Sequence, residues 1–181
     1  IWGRPVYSIF MGGGTPSLFS PQAIARLLSA VRARLPLLPE CEITLEANPG
    51  TFERERFAAY AQAGVTRLSV GVQSFDDAAL HALGRIHTAE QASAALSEAA
   101  RTFSTFNLDL MYALPAQTLA GLQHDLTQAL AFAPPHLSIY QLTIEPNTFF
   151  AKYPPPHLPD DDLAYTMLDA ITAQTATCGL Q

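Results

Sequence analysis

The residues whose types and positions could do chemistry are two carboxylates, Glu46 and Asp109, the amide of Gln73, the guanidinium of Arg85, and a run of three glycines, Gly12-Gly13-Gly14, followed by Thr15. A carboxylate on the inner face of a sheet needs a partner, because an unpaired buried charge is strongly disfavoured. A ligand ammonium, a pair of ribose hydroxyls, or a guanidinium such as Arg67 or Arg85 could supply it. Gln73 offers both a donor and an acceptor to a ligand edge. Read as an acid and a base, Glu46 and Asp109 would also suit hydrolysis or isomerisation. The glycines in "FMGGGTPS" are not a nucleotide loop: no Lys-Ser/Thr pair follows them, and Ser17 stands where a dinucleotide fingerprint needs its third glycine. What remains is bare backbone, whose N–H groups can face a carboxylate and whose carbonyls can face an ammonium. A tight turn needing positive φ would use the same residues.

These groups recur at the ends of apolar segments separated by helical periodicity. The expected strands are Val6–Gly12, Glu42–Asn48, Arg67–Gln73, Phe106–Tyr112 and Leu137–Glu145. Ser20 with Pro21 opens the first helix. A helix near Glu53–Ala63 stops at Gly64, and a short one near Asp77–Leu83 ends at Gly84. Thr88 with Gln91 forms a capping box for a helix to about Thr102. Helices over about Leu119–Ala131 and Asp161–Thr177 follow, the last after a proline-rich connector, Pro154–Pro159. Alternating strands and helices predict a parallel α/β sheet. The strands alternate too: Ile43, Leu45 and Ala47 against Glu42, Thr44, Glu46 and Asn48; Leu68, Val70 and Val72 against Ser69, Gly71 and Gln73; Leu108 and Leu110 against Asn107 and Asp109. In the fifth, Gln141, Thr143 and Glu145 are expected on the polar face. A sheet covered by helices on both sides would be apolar throughout, so one face is predicted to be a polar lumen of an open barrel. Ligands of such sheets sit at the strands' carboxyl ends, where the groups named above fall. The five histidines lack ligand spacing and are expected at the surface or at caps; Tyr112 is expected in the core.

Composition narrows the function classes. The chain of 181 residues is 49% hydrophobic and 14% charged, enough for one domain with a real core. Net charge is −6 and the basic residues form no stripe, which argues against a nucleic-acid partner. The apolar runs fall well short of the roughly 20 residues of a membrane span. Two cysteines far apart, Cys41 and Cys178, point to a reducing cytoplasm rather than a disulfide framework, and two thiols are too few for an iron–sulfur cluster.

The strings "FMGGGTPS", "EITLEANPGT", "RLSVGVQSF", "LGRIH", "NLDLMYALP" and "LSIYQLTIEPNT" resemble the radical S-adenosylmethionine proteins related to oxygen-independent coproporphyrinogen III oxidase, with "LEANPGT", "GRIH" and "YQLTIEPNT" most similar to its heme-chaperone branch. The resemblance implies a partial (β/α)6 barrel over residues 1–181, a single radical S-adenosylmethionine core domain with its first strand and the family's C-terminal region outside the chain. It implies S-adenosylmethionine as cofactor, Gly13 and Glu46 matching contacts to the molecule on the cluster. Gly14, Thr15, Gln73, Arg85 and Asp109 match contacts to a second one, and Thr143 a further contact. A [4Fe–4S] cluster is implied for the full-length protein only, since no Cys-x3-Cys-x2-Cys motif occurs here; this chain alone is therefore expected to be inactive. The family's chemistry is reductive cleavage of S-adenosylmethionine to a radical that abstracts hydrogen. The chaperone branch implies heme as ligand and respiratory heme proteins, membrane-associated ones among them, as partners; the oxidase branch implies a porphyrinogen whose propionates become vinyl groups. Ala113 stands where the family has glycine in "YGLP".

Overall fold

The computed structural model describes residues 3–50 and 54–180. Five strands, β1 (Val6–Met11), β2 (Leu37–Ala47), β3 (Arg67–Gln73), β4 (Thr105–Tyr112) and β5 (His136–Gln141), form one sheet in the order β1-β2-β3-β4-β5, every neighbouring pair parallel. Sequential order has a geometric consequence. Parallel crossovers are right-handed, so strands added always on the same side place every connecting helix on the same face. Among the described residues the other face receives no connecting helix, and the sheet curls around it as a half-barrel.

The connecting helices are α1 (Pro21–Arg32), α2 (Phe57–Ala63), α3 (Asp77–Ala82), α4 (Ala89–Thr102) and α5 (Leu119–Ala131). After β5 come a single turn, α6 (Phe149–Lys152), and α7 (Asp161–Thr177), which packs beside α5. Their boundaries follow the local signals. The Ser20 hydroxyl accepts from Ala23 N at 3.1 Å with Pro21 at the first helical position. Thr88 and Gln91 form the reciprocal capping box. Gly64 ends α2 at φ 104°. The expected start of α2 at Glu53 lies outside the described residues. The core fills the space between helices and sheet: Leu45, Leu68, Leu108 and Leu110 from the strands meet Leu28, Phe57, Leu96, Leu122 and Met167 from the helices, all fully buried.

Two strand limits differ from expectation by more than one residue. β2 begins at Leu37, five residues early, because Leu37 pairs with Val6 across an irregularity in β1. β5 stops at Gln141, so Leu142–Glu145 is loop. The pairing Asp109↔Ser138 and Met111↔Tyr140 puts Ser138 and Tyr140 on the inner face. Gln141 therefore points outward, against the expected phase, and its Oε1 accepts from the buried Tyr112 hydroxyl at 3.2 Å. The polar period read through Gln141, Thr143 and Glu145 was a loop's composition continued into the strand.

Among the described residues β1 and β5 are the sheet's two edges. On β1, Tyr7 and Phe10 are 70% and 60% exposed. An open edge with apolar side chains templates pairing with another chain. The chain should therefore self-associate, and Y7K/F10K should restore a monomer; a monodisperse unsubstituted chain in light scattering at high concentration would count against this.

Candidate functional site

At the carboxyl ends of the strands lies a cavity of about 330 Å³, a usual size for a small-ligand site. Its wall is built strand by strand. β1 delivers the glycine turn, with Gly14, Thr15 and Pro16; β2 delivers Glu46, Ala47 and Asn48; β3 delivers Ser69, Gly71 and Gln73; β4 delivers Asp109; β5 delivers Tyr140; and Arg85 comes from the loop after α3. Six of the seven residues expected from the sequence thus line one space. The seventh, Gly13, touches it through Glu46: its N–H donates to Glu46 Oε2 at 3.0 Å.

The glycine turn serves both uses foreseen for it. Gly13 and Gly14 take φ of +85° and +61°, where a side chain is strained. Gly12 is there for space: a Cβ would sit 2.7 Å from Glu46 Oε1. The bare backbone thus lets the carboxylate lie against it. Gly71 plays the same part for Gln73, whose Nε2 occupies the place, 2.9 Å away, that a Cβ on Gly71 would contest. Gln73 itself has φ +73°, at a bulge where β3 gains one residue on β4 between Gly71 and Gln73. Such outliers gather where a fold aims a side chain.

Among the described residues neither lumen carboxylate takes an arginine partner. Arg67 pairs instead with Glu42, at 3.7 Å, near the other end of the strands. Asp109 is held by neutral donors: Asn107 Nδ2 at 2.6 Å to Oδ1 and Ser69 Oγ at 3.1 Å to Oδ2. Asn107 also donates to Ser69 Oγ at 2.9 Å and accepts from Ser138 Oγ at 3.0 Å. Burial pushes the Asp109 carboxyl above its ordinary range; these donors oppose the shift, and the Glu46 charge adds to it. Arg85 has no carboxylate partner among the described residues, and partial desolvation lowers its pKa while it stays charged. Two carboxylates and one guanidinium therefore face the cavity with net negative charge.

Other expectations divide. Tyr112 is in the core. Thr143 is not in the cavity wall; it lies exposed beyond β5, bonded to Glu145 at 3.0 Å. His81, His124, His136 and His157 are exposed, but His87 is a correction: it is 6% exposed, with Nε2 3.0 Å from the Val72 carbonyl. Its ring is buried against the Val72 carbonyl of β3, a contact that spacing along the chain cannot reveal. Tyr140 joins the cavity wall because pairing with Met111 sets the phase of β5 opposite to the one its polar residues imply. Ala113 adopts φ 57°, the conformation glycine favours, so the turn keeps its shape without glycine.

Sequential parallel strands curled into a half-barrel, with this cavity at the carboxyl rim, make an open α/β barrel core, and residues 2–129 match the model of the Radical SAM superfamily; the chain belongs to that family. It is 53% identical over 167 residues to "Heme chaperone HemW" of Haemophilus influenzae, and 54% identical over 168 residues to the protein of the same name from Escherichia coli. These alignments cover 92% of this chain and 43–44% of those proteins, so the chain spans less than half the length of the curated relatives it matches. Coproporphyrinogen III oxidase (HemN) from Escherichia coli, described as a radical SAM enzyme, superposes with a TM-score of 0.88 at 28% identity, covering 99% of this chain and 42% of that one.

Family membership implies S-adenosylmethionine and a [4Fe–4S] cluster. The two groups fare differently against the residues present. The glycine cradle, two carboxylates and unpaired Arg85 fit a zwitterionic nucleoside. The cluster finds no ligand set: among the described residues no group of three or more His, Cys, Asp or Glu could hold a metal, and Cys41 is buried while Cys178 is exposed after α7. No described helix is long and apolar enough to cross a membrane.

Proposed function

We propose that the cavity binds S-adenosylmethionine and that the chain is the cofactor-binding core of a heme chaperone. The observation that carries this reading is charge matched to shape. S-adenosylmethionine has a sulfonium, an ammonium and a carboxylate, net positive, and the cavity offers Glu46, Asp109 and Arg85, net negative, beside a backbone cleared of side chains. Glu46, anchored by Gly13, faces the ammonium; Asp109 and Gln73 meet the ribose and base edges; Arg85 meets the carboxylate or, for a second molecule, its counterpart. The bound cofactor supplies a reducible sulfonium–carbon bond. The chain's own residues bind it, orient it and desolvate it.

Heme as the cargo is supported by the high identity to proteins named heme chaperone HemW; respiratory heme proteins as its recipients follow from the sequence resemblance alone, and a reducing cytoplasm from the two separated cysteines. The likeness to coproporphyrinogen III oxidase supports the other reading, propionate decarboxylation. Full-length protein, assayed side by side, separates them. We expect a heme absorbance band on titration and no vinyl product from coproporphyrinogen; vinyl product formed at catalytic turnover would replace the chaperone with the oxidase.

A further inference from the structure

Asp125 is a buried carboxylate that the cavity does not use. It lies on α5, on the helix side of the sheet, 2% exposed. An apolar residue would pack there more cheaply, since an ion in such a place needs its lone pairs satisfied. Both oxygens are satisfied by a single short segment: Oδ2 accepts from Ser74 Oγ at 2.7 Å, and Oδ1 accepts from Phe75 N at 2.7 Å. Ser74 Oγ in turn accepts from Asp76 N at 3.0 Å, and Asp76 caps α3 through Ala78 N and Ala79 N. Burial pushes the Asp125 carboxyl up, and the two donors pull it back.

This segment is the elbow that leaves β3. Its first residue is Gln73, in the left-handed region at a bulge. That conformation is strained for a residue with a Cβ. It persists only where the surroundings determine it. On the near side of Gln73, the buried His87 ring holds the Val72 carbonyl at 3.0 Å, which requires a proton on Nε2. On the far side, Asp125 holds Ser74 and Phe75. The backbone is thus gripped immediately before and after Gln73, from α5 and from the loop after α3, while the Gln73 amide is delivered over Gly71 into the cavity.

We propose that Asp125 and His87 are positioning residues that lock the Val72–Gln73 bulge and so set the affinity of the cavity without touching its ligand. The ligand is S-adenosylmethionine on the reading above, on which this inference rests.

The test is a double-mutant cycle in the full-length protein, with S-adenosylmethionine binding read by calorimetry and stability by denaturant unfolding. D125A should weaken binding about tenfold, as expected for one misplaced hydrogen-bonding group. D125N should recover most of it, because its oxygen still accepts from Phe75 N and its amide faces Ser74 Oγ. In the Q73A background D125A should weaken binding no further, although the two changes still add in unfolding free energy. Should D125A fail to fold, H87A and its conservative counterpart H87Q carry the same cycle. Additive losses of affinity, or a folded D125A that binds as tightly as the unsubstituted protein, would overturn the proposal. If the unsubstituted protein binds no S-adenosylmethionine, the cofactor reading fails by itself. The lock is then read from the Gln73 side-chain amide resonance, which should shift in D125A and not in D125N; no shift in D125A overturns it.

Discussion

Gly12→Ala is expected to weaken S-adenosylmethionine binding at least roughly tenfold while leaving the fold nearly intact. The asymmetry follows from what the new methyl meets. It would stand 2.7 Å from Glu46 Oε1 and 2.8 Å from Cδ, closer than atoms pack, so one of them must move. The backbone at Gly12 is not in the left-handed region, so alanine is tolerated there as such. The Glu46 carboxylate is the free end of a flexible side chain, and it yields. Its displacement breaks the 3.0 Å bond from Gly13 N and removes the charge from the cavity wall. Loss of a charged hydrogen bond to a ligand is worth about 1.5–3 kcal/mol, whereas the fold loses one solvent-accessible bond and should be destabilised by under about 1 kcal/mol. Calorimetric titration beside thermal unfolding measures both. Equal affinity in G12A would show that Glu46 does not hold the ligand. Equal affinity loss in G12A and G12A/E46A would show that the methyl acts through that carboxylate alone.

Asp109→Asn should do the opposite to stability and a similar thing to binding. Burial raises the Asp109 pKa above its ordinary 3.8, so the ionised form is disfavoured in the folded state relative to the unfolded one. The sign is fixed by linkage. The stabilising contribution of the proton is fully present below the unfolded value of 3.8 and is lost as pH rises through the higher folded value. At neutral pH the native chain therefore carries an unfavourable desolvated charge. Asparagine keeps the geometry: its oxygen accepts from Asn107, and its amide can donate to Ser69 Oγ. D109N should raise Tm by about 2–4 °C, the shift that about 1 kcal/mol produces in a chain of this size. It should also weaken S-adenosylmethionine binding about tenfold or more, through loss of a charged acceptor. The stability gap between the two proteins should narrow as pH falls from neutral through the folded pKa toward 3.8. Asp125, shifted in the same direction, cancels in that difference. A D109N protein less stable than its parent at neutral pH would mean that the donors from Asn107 and Ser69 outweigh burial. A variant that is stabilised and binds less well is the usual signature of a group placed for function against its own solvation.

Much of this site was legible because it is written in strand alternation. Glu46, Gln73 and Asp109 share a phase opposite to leucines and valines, and each lies in the C-terminal half of its strand, so period and position together assign them to one rim. The triple glycine was legible as bare backbone, but the reason for Gly12, a carboxylate arriving from 34 residues later, was not. What failed was information that exists only across strands. The phase of β5 depends on Met111 facing Tyr140, and a polar run in the following loop imitated a continuation of the strand. His87 and Asp125 read as ordinary loop and helix residues because their partners, Val72 and Phe75, are 15 and 50 positions away. The outer limit of β2 was set by pairing with Val6, which no propensity announces. Local signals governed helix ends well, since a cap's partners lie within one turn.

The polar ladder of the lumen has one further effect. Ser69 on β3, Asn107 and Asp109 on β4, and Ser138 on β5 are joined side chain to side chain across three adjacent strands. Apolar residues on the opposite face would resist a displacement by two positions less sharply, because hydrophobic burial is non-directional. These hydrogen bonds would not: a two-residue slip would strand a buried carboxylate and a buried amide at once. The groups that prepare the cavity for a ligand therefore also act as a folding checksum, rejecting misaligned sheets before any ligand arrives.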